Sequence, residues 1–204
     1  MTKMRTVAKC IVGLTTLAFV LSGCIKMDMD MKVKKDGNVD GSAVIAFSSQ
    51  ILEMSGQKKS EMVASIKKDW KDLPKGAKAE IYDKDGYIGQ KITFKDMPAS
   101  EFGKATASAG STNPTGGGDD LKLVKVGNTW KFTGTMDMKG DLSGGGKTTG
   151  DMSALMKGMK IKIKMTFPGE ITKHDKDGKV KDQSITWEPK AGQKVVMLAI
   201  ANAS

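Results

Sequence analysis

The chain has 204 residues, a formal net charge of +10 and 39% hydrophobic residues, which is enough apolar material for one domain with a packed core. It contains only two cysteines and one histidine, so the sequence offers no cysteine-rich zinc site. Arg5 is the sole arginine among 33 basic residues, and lysine lacks the planar fork that reads bases and phosphates. This composition argues against sequence-specific nucleic-acid binding.

The first 23 residues have the order of parts that a secretory signal requires. A positively charged start carries Lys3, Arg5 and Lys9. An uncharged and mostly apolar run follows from 11 to 21, and it is well short of the ~20 residues that a transmembrane helix needs. The segment is therefore predicted to direct export and not to remain as a membrane span.

The apolar run ends in a tetrapeptide, Leu21-Ser22-Gly23-Cys24, that resembles the lipobox of bacterial lipoproteins. The resemblance implies that a diacylglyceryl group is attached to the thiol of Cys24 and that the peptide bond before Cys24 is then cut. We therefore predict a signal peptide over 1–23 and one domain over 24–204, anchored by lipid to the extracytoplasmic face of the cell membrane. The alternatives are an ordinary signal with an incidental cysteine and an uncleaved anchor.

Processing at this bond changes both the cysteine count and the charge of the chain. Cys10 leaves with the signal and Cys24 carries lipid, so the mature domain is expected to form no disulfide. Three basic residues and no acidic ones leave, so 30 basic residues remain against 23 acidic ones and the mature net charge is +7. All mature cations are lysines, which suits loose attraction to an anionic membrane or wall polymer. A solvated basic surface explains most individual lysines equally well.

The first mature segments are predicted to form a β-hairpin followed by a helix. Apolar and charged residues alternate from Ile25 to Val33, which indicates a half-buried strand, and a turn at 35–38 leads into a second strand over 39–47. A helix is predicted to begin near Ser60 and to end at 74–76. Its apolar stripe consists of Met62, Val63, Ile66 and Trp70. We expect Trp70 to face the core, beside a gap between helix and sheet that could bind a small apolar ligand.

The remaining pattern returns to strands, which are predicted over 79–82, 87–94, 121–126, 130–138, 161–167, 185–187 and 195–200. A short helix is predicted after Pro98, with Phe102 inside it, and one or two helical turns over 151–158. Glycine-rich loops are predicted over 103–120 and 139–150. The sum is an α+β fold, with a curved and mostly antiparallel β-sheet of roughly eight or nine strands packed with one main helix.

Two short motifs resemble ligand-binding loops but lack required residues. Gly146-Lys147-Thr148 lies in a glycine-rich loop, yet the position where a phosphate loop needs its first glycine is Asp141. The Asp-Lys-Asp-Gly segments at 83–86 and 175–178 resemble calcium loops, but their first ligand positions fall on Ile81 and Lys173. We therefore predict no nucleotide site and interpret both acidic segments as hairpin turns.

The mature chain has thirteen of the fifteen methionines, and several share a strand face. One row contains Met27, Met29 and Met31, and a second contains Met136 and Met138. Rows of thioethers could bind Cu(I). Core packing is the favoured interpretation, because alternating apolar residues face inward whatever their chemistry. A third interpretation, intermediate between copper binding and core packing, is that flexible methionines line an adaptable apolar pocket.

Candidate catalytic groups are sparse. His174 is the single histidine and lies beside a turn, and the chain has no Gly-x-Ser-x-Gly elbow. No pair of carboxylates is placed for acid–base chemistry by the local pattern. We predict a protein without enzymatic activity, with no catalytic residues, metal site or cofactor. The sequence does not assign ligand-binding residues or protein partners.

The order of segments resembles the LppM-like lipoproteins of actinobacteria across nearly the whole mature chain. The segments that carry the resemblance are 35–41, 82–89, 92–97, 164–169, 184–187 and 190–192. The most specific are Tyr-Asp-Lys-Asp-Gly-Tyr at 82–87 and the stretch from Phe167-Pro168 to Trp187. The resemblance implies a cell-envelope location and a domain similar to lipid-binding α/β folds. Some relatives append a C-terminal membrane helix. The apolar run at 195–200 is too short to span, so anchoring is expected through Cys24 alone.

The leading functional hypothesis is a cell-envelope lipoprotein whose domain binds a membrane lipid or lipoglycan. Its apolar interior would hold acyl chains, and its lysines would meet anionic head groups. The alternative is a structural or interaction module that binds a protein or wall polymer on its outside. Enzymatic activity ranks third and copper storage fourth.

Overall fold

The structure is a computed structural model that describes residues 23, 25–73, 75–103, 121–137, 158–190 and 192–204. Its strands are β1 (Ile25–Val33), β2 (Asn38–Ser48), β3 (Ala77–Lys84), β4 (Tyr87–Pro98), β5 (Lys122–Val126), β6 (Thr129–Asp137), β7 (Lys160–Thr166), β8 (Ile171–His174), β9 (Lys179–Lys181), β10 (Ser184–Trp187) and β11 (Lys194–Asn202). Its helices are α1 (Ser49–Ser55) and α2 (Lys59–Asp69), with 3₁₀ turns at Trp70–Asp72 and Ala99–Glu101.

The described strands form two sheets. The large sheet has the order β3-β4-β2-β1-β7-β10-β9 and the small sheet the order β5-β6-β11-β8. All pairs are antiparallel except β1 with β7, which run parallel. The α+β class is confirmed. In detail, the strands divide between two sheets where one was predicted, and the described residues contain eleven strands and two α-helices.

The alternating sequence of β1 gives this strand one apolar face and one charged face. Met27, Met29 and Met31 point to one face and are 7%, 2% and 0% exposed. The intervening lysines and aspartates point to the other face, as the period of two requires. The apolar face of the large sheet packs against the small sheet, so the predicted strand and its inward face are both confirmed.

Aromatic side chains fill the space between the two sheets. Phe132 on β6 lies 5.3 Å from the ring of Trp187 on β10 and 6.0 Å from the ring of Phe102. All three are fully buried. The short helix predicted after Pro98 begins as a 3₁₀ turn over Ala99–Glu101, and Phe102 is its C-cap residue. This aromatic contact joins the last strands of the chain to its middle, so the two sheets share one core.

The two helices lie over the same face of the large sheet, beside the small sheet. Leu52 of α1 and Met62 and Ile66 of α2 form a second cluster with Ile88 of β4. Register places Ile88 opposite Phe47, and Phe47 opposite Ile25. The helices therefore cover the end of the sheet where β1 begins. The predicted main helix corresponds to α2, whereas α1 was not predicted.

The two acidic turns differ in structure. The turn after β3 closes the β3–β4 hairpin, as predicted. The turn at 175–178 does not close a hairpin, because β8 pairs with β11 in the small sheet and β9 pairs with β10 in the large sheet. The hairpin interpretation of the second turn is therefore wrong. The short strands β8 and β9 escaped prediction because their side chains are largely exposed and show no apolar alternation.

Asp175 holds this turn between the sheets. One carboxylate oxygen accepts from the indole of Trp187 at 2.9 Å and from the amide of Leu198 at 2.8 Å. The other accepts from the amides of Asp177 and Gly178. Burial alone would raise the pKa of Asp175, but these four hydrogen bonds outweigh it and lower the pKa below its ordinary value. The carboxylate thus connects β10 of one sheet to β11 of the other.

Candidate functional site

The strand methionines belong to the packed core. Met29, Met31 and Met136 are at most 2% exposed and contact the apolar side chains of both sheets. Their environment supports the core-packing interpretation. Met138 lies outside the described residues, as do residues 151–157 of the helical turns predicted over 151–158 and nearly all of both predicted glycine-rich loops.

A cavity of about 270 Å³ lies between α2 and the large sheet. From the sheet it is lined by Ile45, Phe47, Gly89 and Gln90, and from the helical side by Gln57, Met62, Ser65 and Ile66. None of the strand methionines in the described chain lines it. The volume is at the small end of the ~300–1,000 Å³ usual for ligand pockets. It suits a single narrow apolar group.

One buried amide faces the cavity from the sheet side. Gln90 is 3% exposed, and its side-chain oxygen accepts a hydrogen bond from the indole nitrogen of Trp70 at 3.0 Å. Trp70 lies at the end of α2 and packs against the cluster formed by Leu52, Met62 and Ile66. It is half-buried and belongs to this second cluster, not to the main core between the sheets. The expected gap between helix and sheet is present, but Trp70 is not among the residues that line it.

The cavity exists because the helices cover the sheet only partly. On α2, Met62 and Ile66 are buried one turn apart, while Ser65 beside them is exposed. Between the helices, Gln57 is exposed as well. Two apolar side chains on a short helix cannot fill the area that Ile45 and Phe47 present below. The opening is therefore framed by small and polar residues, and its floor is apolar.

The end of the large sheet beside this cavity is where the chain enters the domain. Gly23 is buried, and its carbonyl oxygen accepts a hydrogen bond from the hydroxyl of Tyr87 at 2.6 Å. Strand β1 begins two residues later, at Ile25. Leu21, Ser22 and Cys24 of the predicted lipobox lie outside the described residues. Because the predicted lipobox ends at position 24 and β1 begins at Ile25, no linker residues separate the two in the sequence.

The outward face of the large sheet is rich in lysine. Lys26 of β1 pairs in register with Lys160 of β7, and Asp28 with Lys162. A shallow groove of about 530 Å³ passes over these residues and reaches Tyr87 on one side and Lys190 on the other. It also contains acidic residues, namely Asp28, Asp85 and Glu188. The groove is therefore of mixed charge, with a small excess of lysine.

Lys26 is held in place within this groove. Its ammonium group donates to the hydroxyl of Tyr82 at 3.0 Å and lies 5.2 Å from the centre of the Tyr82 ring. The hydrogen bond to Tyr82 raises the pKa of Lys26 above its ordinary value, despite the opposing effect of partial burial. The side chain is cationic at neutral pH and fixed over an aromatic ring.

Other residues considered from the sequence lie apart from these sites. His174 is exposed, and its Nδ1 donates to the carbonyl oxygen of Asp175 at 2.6 Å. Within the described residues, no group of three or more His, Cys, Asp or Glu side chains is arranged to hold a metal ion. Among the same residues, no helix combines the length and hydrophobicity needed to cross a bilayer.

The sequence pattern did not reveal the roles of Gln90, which lines the cavity, and of Tyr87, which donates a hydrogen bond to Gly23. Gln90 occupies an inward position of β4, between Ile88 and Ile92, and a polar residue at such a position is a usable signal. Tyr87 has no comparable signal, because its partner Gly23 is 64 residues away in sequence. The pairing of β1 with β7 is equally distant, and only the fold brings these residues together.

Comparisons with known proteins agree with this architecture. The model of the LppM domain family matches residues 26–203. The NMR structure of the folded domain of LppM from Mycobacterium tuberculosis is similar, with a TM-score of 0.64 and 16% sequence identity. That similarity covers 89% of this chain and 91% of the other. No match was found among curated proteins. Because the family model spans almost the whole chain beyond the predicted signal, this protein belongs to the LppM domain family.

Proposed function

We propose that this chain is a cell-envelope lipoprotein, anchored to the extracytoplasmic face of the cell membrane through lipid on Cys24. Its domain acts without enzymatic activity and binds one acyl chain of a membrane lipid or lipoglycan. The binding site is the cavity beneath α2. The LppM-type domain and the lipobox at residues 21–24 are both consistent with an envelope lipoprotein.

The observation that carries the proposal is the cavity itself. It is a largely apolar space of about 270 Å³ with an exposed opening at Gln57 and Ser65. Its lining includes one buried polar side chain, Gln90, which accepts a hydrogen bond from Trp70. Apolar lining with a few convergent polar groups is the usual composition of a small-molecule site.

The position of the cavity also supports a membrane ligand. The helices cover the end of the large sheet at which Gly23 enters and β1 begins. A lipid on Cys24 would therefore hold this end closest to the bilayer. An acyl chain leaving the membrane would have a short path to the opening, whereas the small sheet would lie farther along the domain.

Native mass spectrometry of the full-length lipoprotein, purified from bacterial membranes, tests the proposal. We expect a co-purifying lipid on the wild-type protein. Ser65→Phe places a large side chain at the opening and should remove that lipid. Ala64→Phe is the matched control, because Ala64 is exposed on the same helix and does not line the cavity. Wild-type protein that is empty in repeated preparations would contradict the proposal.

A second candidate function rests on the lysine-bearing outer groove. The pairing of Lys26 with Lys160 and the nearby Lys162 and Lys190 favour an anionic cell-wall polymer or an acidic protein surface. Co-sedimentation of the lipoprotein with purified cell walls distinguishes the two functions. Loss of sedimentation in Lys160→Glu/Lys162→Glu, with lipid content unchanged, would support this second function.

A further inference from the structure

The two sheets differ in the chemistry of their outer faces. On the outer face of the large sheet, lysines and aspartates lie side by side, and Lys164 pairs with Asp30 at 3.4 Å. The small sheet instead exposes aliphatic side chains. Of the five large hydrophobic residues that are exposed in the described chain, three belong to this sheet, namely Val124, Val126 and Val196, at 47%, 60% and 57%. Exposed apolar surface is therefore concentrated on one side of the domain.

Strand register places these side chains on one continuous surface, the outer face of the small sheet. Along β11, Val196, Leu198 and Ile200 occupy every second position and point away from the core, because the residues between them are buried. Across the strands, Ile200 lies opposite Lys131 of β6, and Lys131 lies opposite Val124 of β5. The face thus has an aliphatic stripe on β11 and a further valine two strands away.

Strand propensity alone does not account for the exposed valines. β-branched residues favour strands in general, so the same preference acts on the large sheet. Yet the outward positions of β1 and β7 are all lysine, aspartate or threonine, and Val44 of β2 is only 9% exposed. Contiguous exposed aliphatic surface commonly marks a contact with another molecule. The outer face of the small sheet has this property.

Lysines surround the aliphatic stripe without carboxylate partners. Lys122, Lys131 and Lys173 lie on three strands of the small sheet, and within the described chain none of them forms a salt bridge. Lys194 is the fourth lysine at an outward position and lies opposite Asp137. Asp137 is the one acidic residue on the described strands of this sheet, so four lysines against one aspartate give the face a formal charge of +3.

We propose that the outer face of the small sheet is a docking surface for an acidic protein whose carboxylates flank aliphatic side chains. Lys131 and Lys173 lie two strands apart, about 10 Å, with Ile200 between them. Such a partner places an aliphatic side chain on Ile200 and carboxylates on the two lysines. Apolar area is then buried at the centre and charge is neutralised around it, which is the usual anatomy of a protein interface. This surface is separate from the cavity beneath α2 and from the lysine-bearing groove of the large sheet.

Charge and composition argue against two other occupants. A second copy of this chain would bring two faces of formal charge +3 together, and like charges across an interface are costly. A bilayer is usually met by surfaces that carry aromatic side chains. On the described strands of the small sheet, Trp130 and Phe132 are the only tryptophan, tyrosine or phenylalanine residues, and both are buried on the inner face. An acidic protein meets both conditions.

A synthetic peptide and the full-length lipoprotein in detergent test this chemistry. The probe repeats Glu-Ser-Val-Ser, so that glutamate and valine share one side of an extended chain. Fluorescence anisotropy should show binding, and Lys131→Glu/Lys173→Glu should weaken it at least about tenfold. Lys160→Glu/Lys162→Glu reverses the same charge on the other sheet, so it should change the affinity by less than about twofold. Urea midpoints check that each variant folds.

Photo-cross-linking in intact bacteria tests for the partner itself. A photo-reactive residue at Thr133 lies between Lys122 and Leu198 in register, in the middle of the face. We expect it to capture a protein that mass spectrometry identifies as acidic, and we expect the capture to be lost in Lys131→Glu/Lys173→Glu. The same group at Thr186, on the outer face of the large sheet, is the matched control and should not capture that protein.

The opposite results overturn the inference. Wild-type protein that does not bind the Glu-Ser-Val-Ser probe does so, and so does equal affinity for a Glu-Ser-Ser-Ser peptide, which keeps the charge and lacks the valines. Affinity that survives Lys131→Glu/Lys173→Glu, or is lost only in the large-sheet control variant, places the contact elsewhere. A cross-link from Thr133 to lipid alone, to a second copy alone or to nothing also overturns the acidic partner. None of these results bears on the lipid cavity or the anchor, so the failures are distinguishable.

Discussion

Two parts of one sheet face are covered in different ways. Under the small sheet, the inner face of the large sheet meets a second layer of strands, and Phe132 and Trp187 are fully buried there. Under the helices, the same face meets only a few apolar side chains, and a cavity of about 270 Å³ remains. The first region is packed as a core, while the second has room for a ligand.

The difference follows from the shape of the covering elements. A sheet presents a continuous row of inward side chains, and β11 supplies Val195, Met197, Ala199 and Ala201 at every second position. A helix places a residue on the same face only every three or four positions. Helix α2 therefore brings Met62 and Ile66 to the sheet and leaves Ser65 at the opening. Most of the buried core therefore lies in the first region, and the proposed ligand site lies in the second.

The largest effect is expected from Trp187→Ala in the packed region. Trp187 is fully buried, contacts Phe132 and donates to Asp175. Its loss leaves a large cavity between the sheets and should lower the free energy of unfolding by about 4 kcal/mol. Urea unfolding of the purified lipoprotein measures the change. A loss below about 1 kcal/mol would show that this region is not the principal core.

The next effect is expected from Asp175→Asn. The amide has one acceptor oxygen where the carboxylate has two, so the four donors around Asp175 can no longer all be satisfied. Hydrogen bonds to a charged group are worth about 1.5–3 kcal/mol each, so a loss of about 2–3 kcal/mol at neutral pH is expected. Urea unfolding at pH 7 measures it.

The same substitution should change the pH dependence of stability. Because the pKa of Asp175 is lower in the folded protein than in the unfolded chain, ionisation of this group favours folding. Its contribution is complete above the unfolded value of about 3.9 and is lost as the pH falls through the folded pKa. The wild-type and Asp175→Asn proteins should therefore approach each other in stability below about pH 4. A constant difference from pH 7 to pH 3 would contradict this role.

Trp70→Ala should have an intermediate effect, because Trp70 is half-buried at the edge of the second cluster. We expect a loss of about 2 kcal/mol, less than for a fully buried tryptophan. Removal of the indole also deprives Gln90 of its hydrogen bond from Trp70. Urea unfolding beside Trp187→Ala makes the comparison direct. A larger loss for Trp70 than for Trp187 would reverse the assignment of the two regions.

The smallest effect is expected on the exposed side of α1. Met54 is 82% exposed, so Met54→Ala should change stability by less than about 0.5 kcal/mol. Leu52 is the matched control on the same helix, because it is 6% exposed and packs against Ile88. Leu52→Ala should cost about 2 kcal/mol. Thermal melts of both variants decide whether α1 packs as described, and equal midpoints would show that it does not.

The sequence predicts most local structure because local patterns are strong in this chain. The alternation of β1 and the stripe of α2 correctly indicated which residues face inward. Helix α1 was missed because Leu52 is its only buried residue, although Ser48 caps its start and Gly56, with φ of +69°, ends it. These capping residues were present in the sequence but had no apolar stripe between them.

The division into two sheets could not be read from local patterns. The parallel pairing of β1 with β7 joins segments more than 130 residues apart, and β8 and β9 diverge to different sheets within eleven residues. The cavity likewise depends on how far α2 stands from the sheet. The polar Gln90 is a local sequence signal for the cavity, because it interrupts the row of inward apolar residues on β4.

Methionine methyl NMR tests the division between a packed core and a ligand cavity most directly. With ¹³C-methyl methionine in the full-length lipoprotein, Met62 reports on the cavity, while Met31 and Met165, both 0% exposed, report on the core between the sheets. Individual Met→Leu variants assign the signals. On titration with a phospholipid of short acyl chains, we expect the Met62 signal to shift and those of Met31 and Met165 to remain. Shifts of Met31 and Met165 without Met62 would place the ligand between the sheets and contradict the account.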